Sequence, residues 1–357
     1  MRLSYAVLLS ALGLLCLSAS RCSTSLSASG GSSVSIVAYN VESLFDATDD
    51  GPEFPEFSVA KGRWDDARYK VRLANAAAAV LAAAAAWGDP PGPDVLCLEE
   101  VENGRVLEDL RTGPLSSSRY RYAAIAPAEG GPFSVCALSR LPILASACHG
   151  ASTSAGRVGR DVLELDLDAG GRRLVILVCH WKSKSGGDEE TEASRREEAA
   201  LVRSRVAARM AADPAVDLVV CGDFNESPDE YLRVNRRYET ALMPIEEARA
   251  RGGPAARLLV AAEPGRALPL EGEVVLYSPW ERTGGFSYSY RGKRERLDGF
   301  LLSPGLLDSS GLSFASFAPA GAPFLFDAKG APYAWSSSGV AGYSDHLPIL
   351  LRLESDT

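Results

Sequence analysis

The chain has 357 residues, 46% of them hydrophobic, and a formal net charge of −9 at neutral pH. This length and hydrophobic content predict a globular protein with a sizeable core, in one large α/β domain or two smaller ones. The negative charge argues against a protein that wraps duplex nucleic acid by electrostatic attraction. A local basic rim on an otherwise acidic enzyme would still suit a nucleic-acid substrate.

The first twenty residues predict a secretory signal. Arg2 precedes an apolar run that extends to Leu17, and small residues follow at 18–20. A basic start, an apolar middle and a small-residue cleavage region are typical of signal peptides, and the run is too short to span a membrane comfortably. We therefore predict a signal peptide at 1–20, a flexible Ser/Gly-rich spacer at 21–33 and a single domain at 34–357.

Cys22 would carry a lipid anchor if the signal is of the lipoprotein type, although Arg21 stands where such signals usually have a small residue. Either form predicts an exported protein, which is periplasmic, secreted or anchored at the outer surface. The absence of a Cys-x-x-Cys spacing argues against a zinc or redox site. Four cysteines lie in apolar runs typical of buried strands: Cys97, Cys136, Cys179 and Cys221. A disulfide among these four and Cys148 remains an open alternative.

Strand and helix patterns alternate along the domain, which predicts an α/β fold. Helices are predicted at 65–87, 105–111 and 188–212, where acidic starts and glycine or basic ends give start and stop signals. A hairpin is predicted from 286–290 and 296–302 around a turn at 291–293, so the sheets should be mixed. Residues 231–251 predict a helical insertion. Further strands are expected at 35–39, 94–98, 134–140, 174–179, 218–221 and 349–353.

Polar residues follow most of these strands directly. The clearest case is VVCGDFNESP at Val219–Pro228, where a buried strand ends in a glycine turn that presents Asp223 and Asn225. Asp298 instead lies inside an apolar run and should have a partner, because an unpaired buried carboxylate is costly. The other strand-end residues are Asn40 and Glu42, Glu99 and Glu100, His180, and Asp345 with His346.

Six motifs in this order resemble the exonuclease–endonuclease–phosphatase superfamily, the deoxyribonuclease-I-like and exonuclease-III-like metal-dependent phosphoesterases. They are NVESLFD, LEEVEN, CHWKSK, GDFNESP, ERLDGFLLS and YSDHLP. The resemblance covers nearly the whole chain after about residue 34, and the forms look most like bacterial exported members. It implies an α/β four-layered sandwich of two mixed β-sheets flanked by helices.

The resemblance also implies a metal site with Glu100 as the main ligand and Asn40 and Asp345 as the others. Hard oxygen ligands of this kind select Mg²⁺ or Mn²⁺. Glu99 stands where the family usually has glutamine, and we expect it to support the site without binding the metal.

Five further residues have catalytic roles by the same resemblance. His346, paired with Asp298, would act as a base or polarise the phosphate, with the carboxylate setting the tautomer of the imidazole. His180 would protonate the leaving oxygen or bind the phosphate. Asp223 would orient or deprotonate the attacking water, and Asn225 would donate to a phosphoryl oxygen.

One departure from the family concerns His180. In deoxyribonuclease-like relatives a carboxylate on a neighbouring strand supports the corresponding histidine, whereas the matching strand here offers Ser134. This difference puts the strength of His180 as a general acid in doubt, but not the metal site.

The substrate prediction depends on basic residues that flank the motifs, with Arg160, Lys182, Lys293 and Arg294 as candidate substrate-binding residues. The interpretation we favour is a metal-dependent phosphodiesterase, most simply an extracellular or surface nuclease with nucleic acid as its partner and no obligate protein partner. The alternatives are a phospholipid (sphingomyelinase-like) or inositol-phosphate hydrolase on the same fold, and a non-enzymatic surface binding module.

Overall fold

The computed structural model describes residues 33–89, 91–127, 131–153, 156–253 and 256–355. The predicted signal peptide and the candidate lipid-anchor residue Cys22 lie outside these ranges. Among the described residues, no helix has the length and apolar character needed to cross a membrane.

Two large sheets and their flanking helices are built from the following elements. The helices are α1 (Asp66–Ala86), α2 (Gly104–Thr112), α3 (Glu192–Ala212), α4 (Glu230–Arg233) and α5 (Ile245–Arg251). The strands are β1 (Ser33–Leu44), β2 (Val95–Val101), β3 (Tyr122–Ala126), β4 (Ser134–Ser139), β5 (Ile143–Thr153), β6 (Gly156–Asp168), β7 (Arg173–His180), β8 (Asp217–Asp223), β9 (Leu242–Pro244), β10 (Leu258–Ala261), β11 (Val274–Tyr277), β12 (Tyr288–Tyr290), β13 (Lys293–Glu295), β14 (Asp298–Leu302), β15 (Leu312–Pro319) and β16 (Ile349–Ser355).

Both large sheets are mixed, as predicted. The six-stranded sheet has the order β15-β16-β1-β2-β4-β3, and the eight-stranded sheet has the order β5-β6-β7-β8-β14-β11-β10-β9. At the centre of the first, β1 runs parallel to β2 and antiparallel to β16. At the centre of the second, β8 runs parallel to β7 and antiparallel to β14.

The sheets pack face to face, with helices on their outer faces. The apolar side chains between them form one continuous cluster that includes Ile36, Val95, Ile176 and Phe300. Helices α1 and α2 cover the outer face of the six-stranded sheet, and α3 covers the outer face of the eight-stranded sheet. The predicted four-layered sandwich is therefore confirmed.

Two local predictions need correction. The hairpin is shorter than expected, because 288–290 pairs with 293–295 as a separate two-stranded ribbon. The segment that was expected to return as its second strand forms β14 instead, paired with β8 in the eight-stranded sheet. The insertion at 231–251 is not wholly helical either, since Leu242–Pro244 adds an edge strand to that sheet. Local sequence propensity does not predict these two pairings, because β14 pairs with β8 and β9 pairs with β10, and neither pair is joined by a tight turn.

The cysteine question is answered within the described residues. Cys97, Cys136, Cys179 and Cys221 are free thiols. The four in strands are buried, as small apolar residues would be.

Gly222 is the turn position that allows β8 to deliver Asp223. Its φ is +126°, a conformation that L side chains rarely adopt, and a Cβ atom there would overlap the Cys179 carbonyl oxygen and lie 2.9 Å from Glu99 Oε1. Only glycine therefore fits between β7 and the buried Glu99.

Replacing Gly222 with alanine should lower the free energy of unfolding by roughly 2–5 kcal/mol, because backbone strain adds to steric overlap. Gly321→Ala is the matched control, since its Cβ would meet open space without a positive φ. Urea unfolding curves of the two variants measure the difference. Equal stabilities would contradict the close approach of β7, β8 and Glu99.

Candidate active site

The site lies where the carboxyl ends of β1, β2, β7 and β8 meet between the sheets, closed by the start of β14 and the segment before β16. The parallel register puts Asn40 opposite Glu99 and His180 opposite Asp223. Most of the predicted metal-binding and catalytic residues are linked here by hydrogen bonds or lie within 4 Å of one another, in a pocket of about 510 Å³.

Glu100 projects into this pocket because β2 is irregular at its end. The pairing of β2 with both β1 and β4 shifts register there, and Glu100 has a φ of +63°. Its Oε2 accepts a hydrogen bond from the Ser43 backbone N–H at 2.8 Å, and its Oε1 lies 3.3 Å from Asn40 Nδ2. Glu42, Ser43 and Asn225 also have positive φ. Such strain in non-glycine residues is concentrated at functional sites.

Asn40 connects the two halves of the site. Its Nδ2 also donates to Asp223 Oδ2 at 3.0 Å, and its Oδ1 accepts the backbone N–H of Glu42 at 2.9 Å. Because a carbonyl oxygen has two lone pairs, Oδ1 retains capacity for a further partner. The predicted ligand Asp345 lies across the pocket, with its Oδ1 at 3.9 Å from His346 Nε2.

The electrostatics of this end of the pocket fit a divalent cation. Burial raises the pKa of the Glu100 carboxyl, and the negative charge of Asp345 raises it further, while Arg160 and His346 oppose the shift. Burial likewise raises the pKa of Asp223 to about 7, against the attraction of His346. Buried carboxylates that repel one another are the environment in which a bound cation is stabilising. Glu100, Asp345 and the amide oxygen of Asn40 would hold it.

His346 and Asp298 form the predicted pair. Nδ1 of His346 lies 2.7 Å from Asp298 Oδ2, and both side chains are buried. Burial opposes the charged imidazolium, but the carboxylates of Asp298, Asp223 and Asp345 hold the pKa of His346 well above its usual value. Asp298, the carboxylate within the apolar run at 297–302, therefore has a partner, which is His346.

The ligand atoms of Asp223, Asp298 and His346 lie within 4.8 Å of one another and could also hold a metal ion. Only a neutral imidazole can bind a metal, however, and the carboxylates of Asp298, Asp223 and Asp345 hold the pKa of His346 well above its usual value. We therefore place the cation nearer Glu100.

Asn225 holds Asp223. Its backbone N–H donates to Asp223 Oδ1 at 2.8 Å, and its Nδ2 donates to Asp223 Oδ2 at 3.0 Å and to the Trp181 carbonyl at 3.1 Å. Both amide hydrogens are thus committed within the protein. The predicted donation from Asn225 to a phosphoryl oxygen would require one of these bonds to be exchanged, and it stays a prediction.

His180 has little support from its surroundings. Its Nε2 faces Glu100 Oε1 at 3.6 Å and Asp223 Oδ2 at 3.7 Å, but among the described residues its buried Nδ1 has no hydrogen-bond partner. Ser134 donates to the Glu102 carbonyl. Burial lowers the pKa of His180 well below its usual value, and the charges of Arg160 and His346 lower it further. A neutral imidazole that donates to the phosphate suits this position better than a general acid.

A buried arginine, which the sequence interpretation missed, joins the segment carrying Asp345 to β1. The guanidinium of Arg72 on α1 donates to the carbonyls of Val41, Glu42 and Tyr343, and packs over the Trp335 ring. Glu42 Oε2 in turn accepts the backbone N–H groups of Trp335 and Asp345 at 2.7 and 3.0 Å. An arginine on the otherwise apolar face of a helix is the one signal that could have indicated this role.

The four predicted substrate-binding residues lie outside the lining of the pocket. The Arg160 guanidinium donates to the Trp181 carbonyl at 2.7 Å, so it lies beside His180. Lys293 pairs with Glu295 at 2.8 Å, and Arg294 packs over the Phe286 ring. None of these, nor Lys182, is among the described residues that line the pocket. The pocket is lined instead by Lys184, Tyr288 and Tyr290, together with Ser183, Ser185, Asp188 and Glu295.

Comparison with known proteins gives the class of this protein. Residues 35–236 match the model of the Endonuclease/Exonuclease/phosphatase family, which is more than half of the chain. The chain belongs to this family, whose members use divalent metals and hydrolyse phosphoester bonds. No match was found among curated proteins.

Solved structures share the fold at low sequence identity. Truncated TDP2 from Caenorhabditis elegans has a TM-score of 0.51 and 15% identity over 90% of this chain and 98% of its own. TDP2 from D. rerio, solved with a single-strand DNA product, has a TM-score of 0.51 and 16% identity over 91% of this chain and 100% of its own. A family protein from Bacteroides vulgatus has a TM-score of 0.50 and 16% identity over 91% and 100%.

If His180 donates to the phosphate as a neutral imidazole, glutamine should replace it in part. His180→Ala should lower kcat roughly 10²–10³-fold, the cost of one donor to a developing charge, and His180→Gln should recover about tenfold of this loss. Steady-state kinetics across pH measure both. Two results together would instead support a general-acid role. His180→Gln would be no more active than His180→Ala, and both variants would lose the fall in activity at high pH that the wild-type protein shows.

Asp298 and His346 should act as one unit. Asp298→Asn, His346→Ala and the double variant are each expected to lower kcat by a similar factor, roughly 10²–10⁴, because the carboxylate acts through the imidazole. Thermal unfolding of each variant controls for loss of fold. If the two losses multiply in the double variant, Asp298 is only a satisfied core carboxylate.

Proposed function

We propose that this protein is an exported, Mg²⁺-dependent phosphodiesterase that cleaves nucleic acid. The observation that carries the proposal is the meeting of Glu100, Asn40, Asp223, His180 and the His346–Asp298 pair in one buried pocket. A surface binding module would have no need to bury so many mutually repelling carboxyl groups, because an uncompensated buried charge destabilises the fold.

The protein groups divide the work of hydrolysis between them. A bound cation would polarise a phosphoryl oxygen and neutralise developing negative charge. Asp223, held by Asn40 and Asn225, is placed to orient the attacking water. His180 donates to a phosphoryl oxygen, and His346, charged through its carboxylate neighbours, stabilises charge on the phosphate.

Mg²⁺ is the ion we propose because the donors are oxygen atoms only. One or two carboxylates with several retained waters are its usual protein coordination, and Mn²⁺ accepts the same ligands. No cysteine lines the described part of the pocket, and both histidines have other roles.

Nucleic acid is the substrate that we favour. The fold can accommodate a single strand, since D. rerio TDP2 was solved with such a product. The acidic net charge and the pairing of Lys293 with Glu295 argue against a broad cationic track for duplex DNA. A single strand or a strand end, which needs fewer phosphate contacts, suits this surface better.

Export stays part of the proposal through the residues at 1–20, whose pattern is that of a signal peptide. Free cysteines buried in strands are compatible with this location because they are shielded from oxidants.

A hydrolase of phospholipids or inositol phosphates is the second candidate. The observation in its favour is that Lys184 and Lys293 both pair with Glu295, because a small phosphodiester needs no row of unpaired cations. Membrane lipid would additionally require an exposed apolar surface near the pocket, and the ribbon formed by β12 and β13 offers only Tyr290 as an exposed large apolar residue.

The metal assignment predicts the behaviour of Glu100→Gln. The mature protein should lose activity in EDTA and regain it with Mg²⁺ or Mn²⁺, while Glu100→Gln should lose nearly all activity and bind Mg²⁺ more weakly by calorimetry. Glu108→Gln, an exposed carboxylate on α2, is the matched control. An unchanged turnover number in Glu100→Gln would contradict the assignment of Glu100 as a metal ligand.

The substrate is tested in the same preparation with Mg²⁺ against single-stranded and duplex DNA, RNA, sphingomyelin and an inositol phosphodiester. Cleavage of single-stranded nucleic acid is expected. Cleavage of a lipid or an inositol ester, with nucleic acid left intact, would overturn the nuclease proposal but not the family or the site.

A further inference from the structure

The pocket continues past the catalytic residues into a second, polar end. This end is lined by Ser183, Lys184, Asp188, Tyr290 and Glu295, which we call the Lys184 subsite. The whole pocket, about 510 Å³, has the volume of a small-molecule site. No step described above uses these side chains.

The Lys184 subsite contains ion pairs whose positive and negative charges balance. Lys184 Nζ lies 2.9 Å from Glu230 Oε1 and 3.5 Å from Glu295 Oε1, and Lys293 Nζ lies 2.8 Å from the same Glu295 oxygen. The side chains of Lys184, Glu230 and Glu295 are only 13, 3 and 7% exposed. Two ammonium groups thus face two carboxylates, and this network of four side chains has no surplus positive charge for a second phosphate.

Uncommitted hydrogen-bonding groups remain around this network. An ammonium has three N–H donors, and Lys184 directs two of them to Glu230 and Glu295, which leaves one. Within the described residues, Glu295 Oε2 and the Asp188 carboxylate accept no hydrogen bond. The subsite therefore presents one strong donor beside two strong acceptors.

This combination matches a hydroxyl group, which both donates and accepts. A phosphate only accepts and would be repelled by Asp188 and Glu295. A quaternary ammonium cannot donate and would be repelled by Lys184. Tyr290 lines the same pocket, and its ring is 54% exposed with the Arg291 guanidinium 5.0 Å from the ring centroid. Together they form a surface on which a base can stack.

We propose that the Lys184 subsite binds a ring hydroxyl of the unit esterified to the scissile phosphate, so that the enzyme prefers ribose to deoxyribose. The inference rests on the proposed nuclease function. The 2′-hydroxyl is the group by which a protein distinguishes RNA from DNA at one position.

The test uses single-stranded oligonucleotides of one sequence with ribose, 2′-deoxyribose or 2′-fluoro sugars. The fluoro sugar keeps an electronegative substituent but cannot donate a hydrogen bond. We expect kcat/KM for the ribose substrate to exceed kcat/KM for each of the other two substrates by roughly 10- to 100-fold. This is the factor by which one hydrogen bond to a charged group changes an equilibrium constant.

Two variants locate the preference in the subsite. Asp188→Asn and Lys184→Met should each bring the ribose/deoxyribose ratio of kcat/KM towards one. Lys184→Met removes the ion-pair partner of Glu230 and one of the two partners of Glu295, so this variant is more at risk of unfolding. Asp188 is exposed, and its variant therefore keeps the test decisive. Glu189→Gln is the control, because it removes the same charge from an exposed neighbour outside the pocket lining, and it should keep the wild-type ratio.

The outcomes separate the two proposals. A wild-type ratio near one, or a ratio unmoved by Asp188→Asn, overturns the subsite and leaves the nuclease standing. Cleavage of an inositol phosphodiester with all oligonucleotides intact overturns the nuclease but keeps a ring-hydroxyl subsite. Cleavage of sphingomyelin alone overturns both.

Discussion

The concentration of carboxyl groups where the two sheets meet is the constraint on which the site depends. Four strands, two from each sheet, contribute these groups, which are Glu42, Glu99, Glu100, Asp223 and Asp298. Several of them are almost inaccessible to water. Burial raises the pKa of Glu42 to about 8, with Asp345 adding to the shift. Such groups are tolerated only with compensation by histidine, arginine or a bound cation.

The two histidines that lie among these carboxylates differ in how firmly their surroundings hold them. His346 is held by Asp298 and lies near Asp223 and Asp345, whereas His180 has no partner at Nδ1 among the described residues. The two histidines are thus driven to opposite protonation states by their surroundings. One fold can in this way supply both a positive charge and a neutral donor to the same phosphate.

Backbone strain is the second cost that the site carries. The positive φ values at Glu42, Ser43 and Glu100 coincide with the register shifts of β1 and β2. In a regular strand, successive side chains point to opposite faces of the sheet. The irregular backbone here breaks that pattern and directs polar groups towards the pocket. Arg72, fully buried, holds this distorted strand end against the segment that carries Asp345. The distortion and its support are separate elements of the chain brought together only on folding.

The lining of the pocket beyond the catalytic residues is the part of the site that phosphoester hydrolysis alone does not explain. The catalytic residues account for hydrolysis of a phosphoester, but they say little about the rest of the substrate. Lys184, Lys293, Glu230 and Glu295 form a network of ion pairs beside the catalytic residues. The proposed subsite would make substrate choice depend on hydrogen bonding and shape more than on net charge.

The sequence by itself determined the α/β class, the layered architecture through its ordered motifs, and the pairing of Asp298, because a carboxylate in an apolar run demands a partner. The α/β class follows from periodicity and the need of Asp298 for a partner from the cost of burying charge, which are local properties, whereas the layered architecture was implied by the resemblance of the motifs to the family. Only the tertiary structure decided the strand ends at β12–β14, the isolation of His180 and the role of Arg72. It also showed that Lys184, rather than Lys182 or Arg294, faces the pocket. Those features depend on which distant residues become neighbours, and a side chain's partner cannot be read from its own stretch of chain.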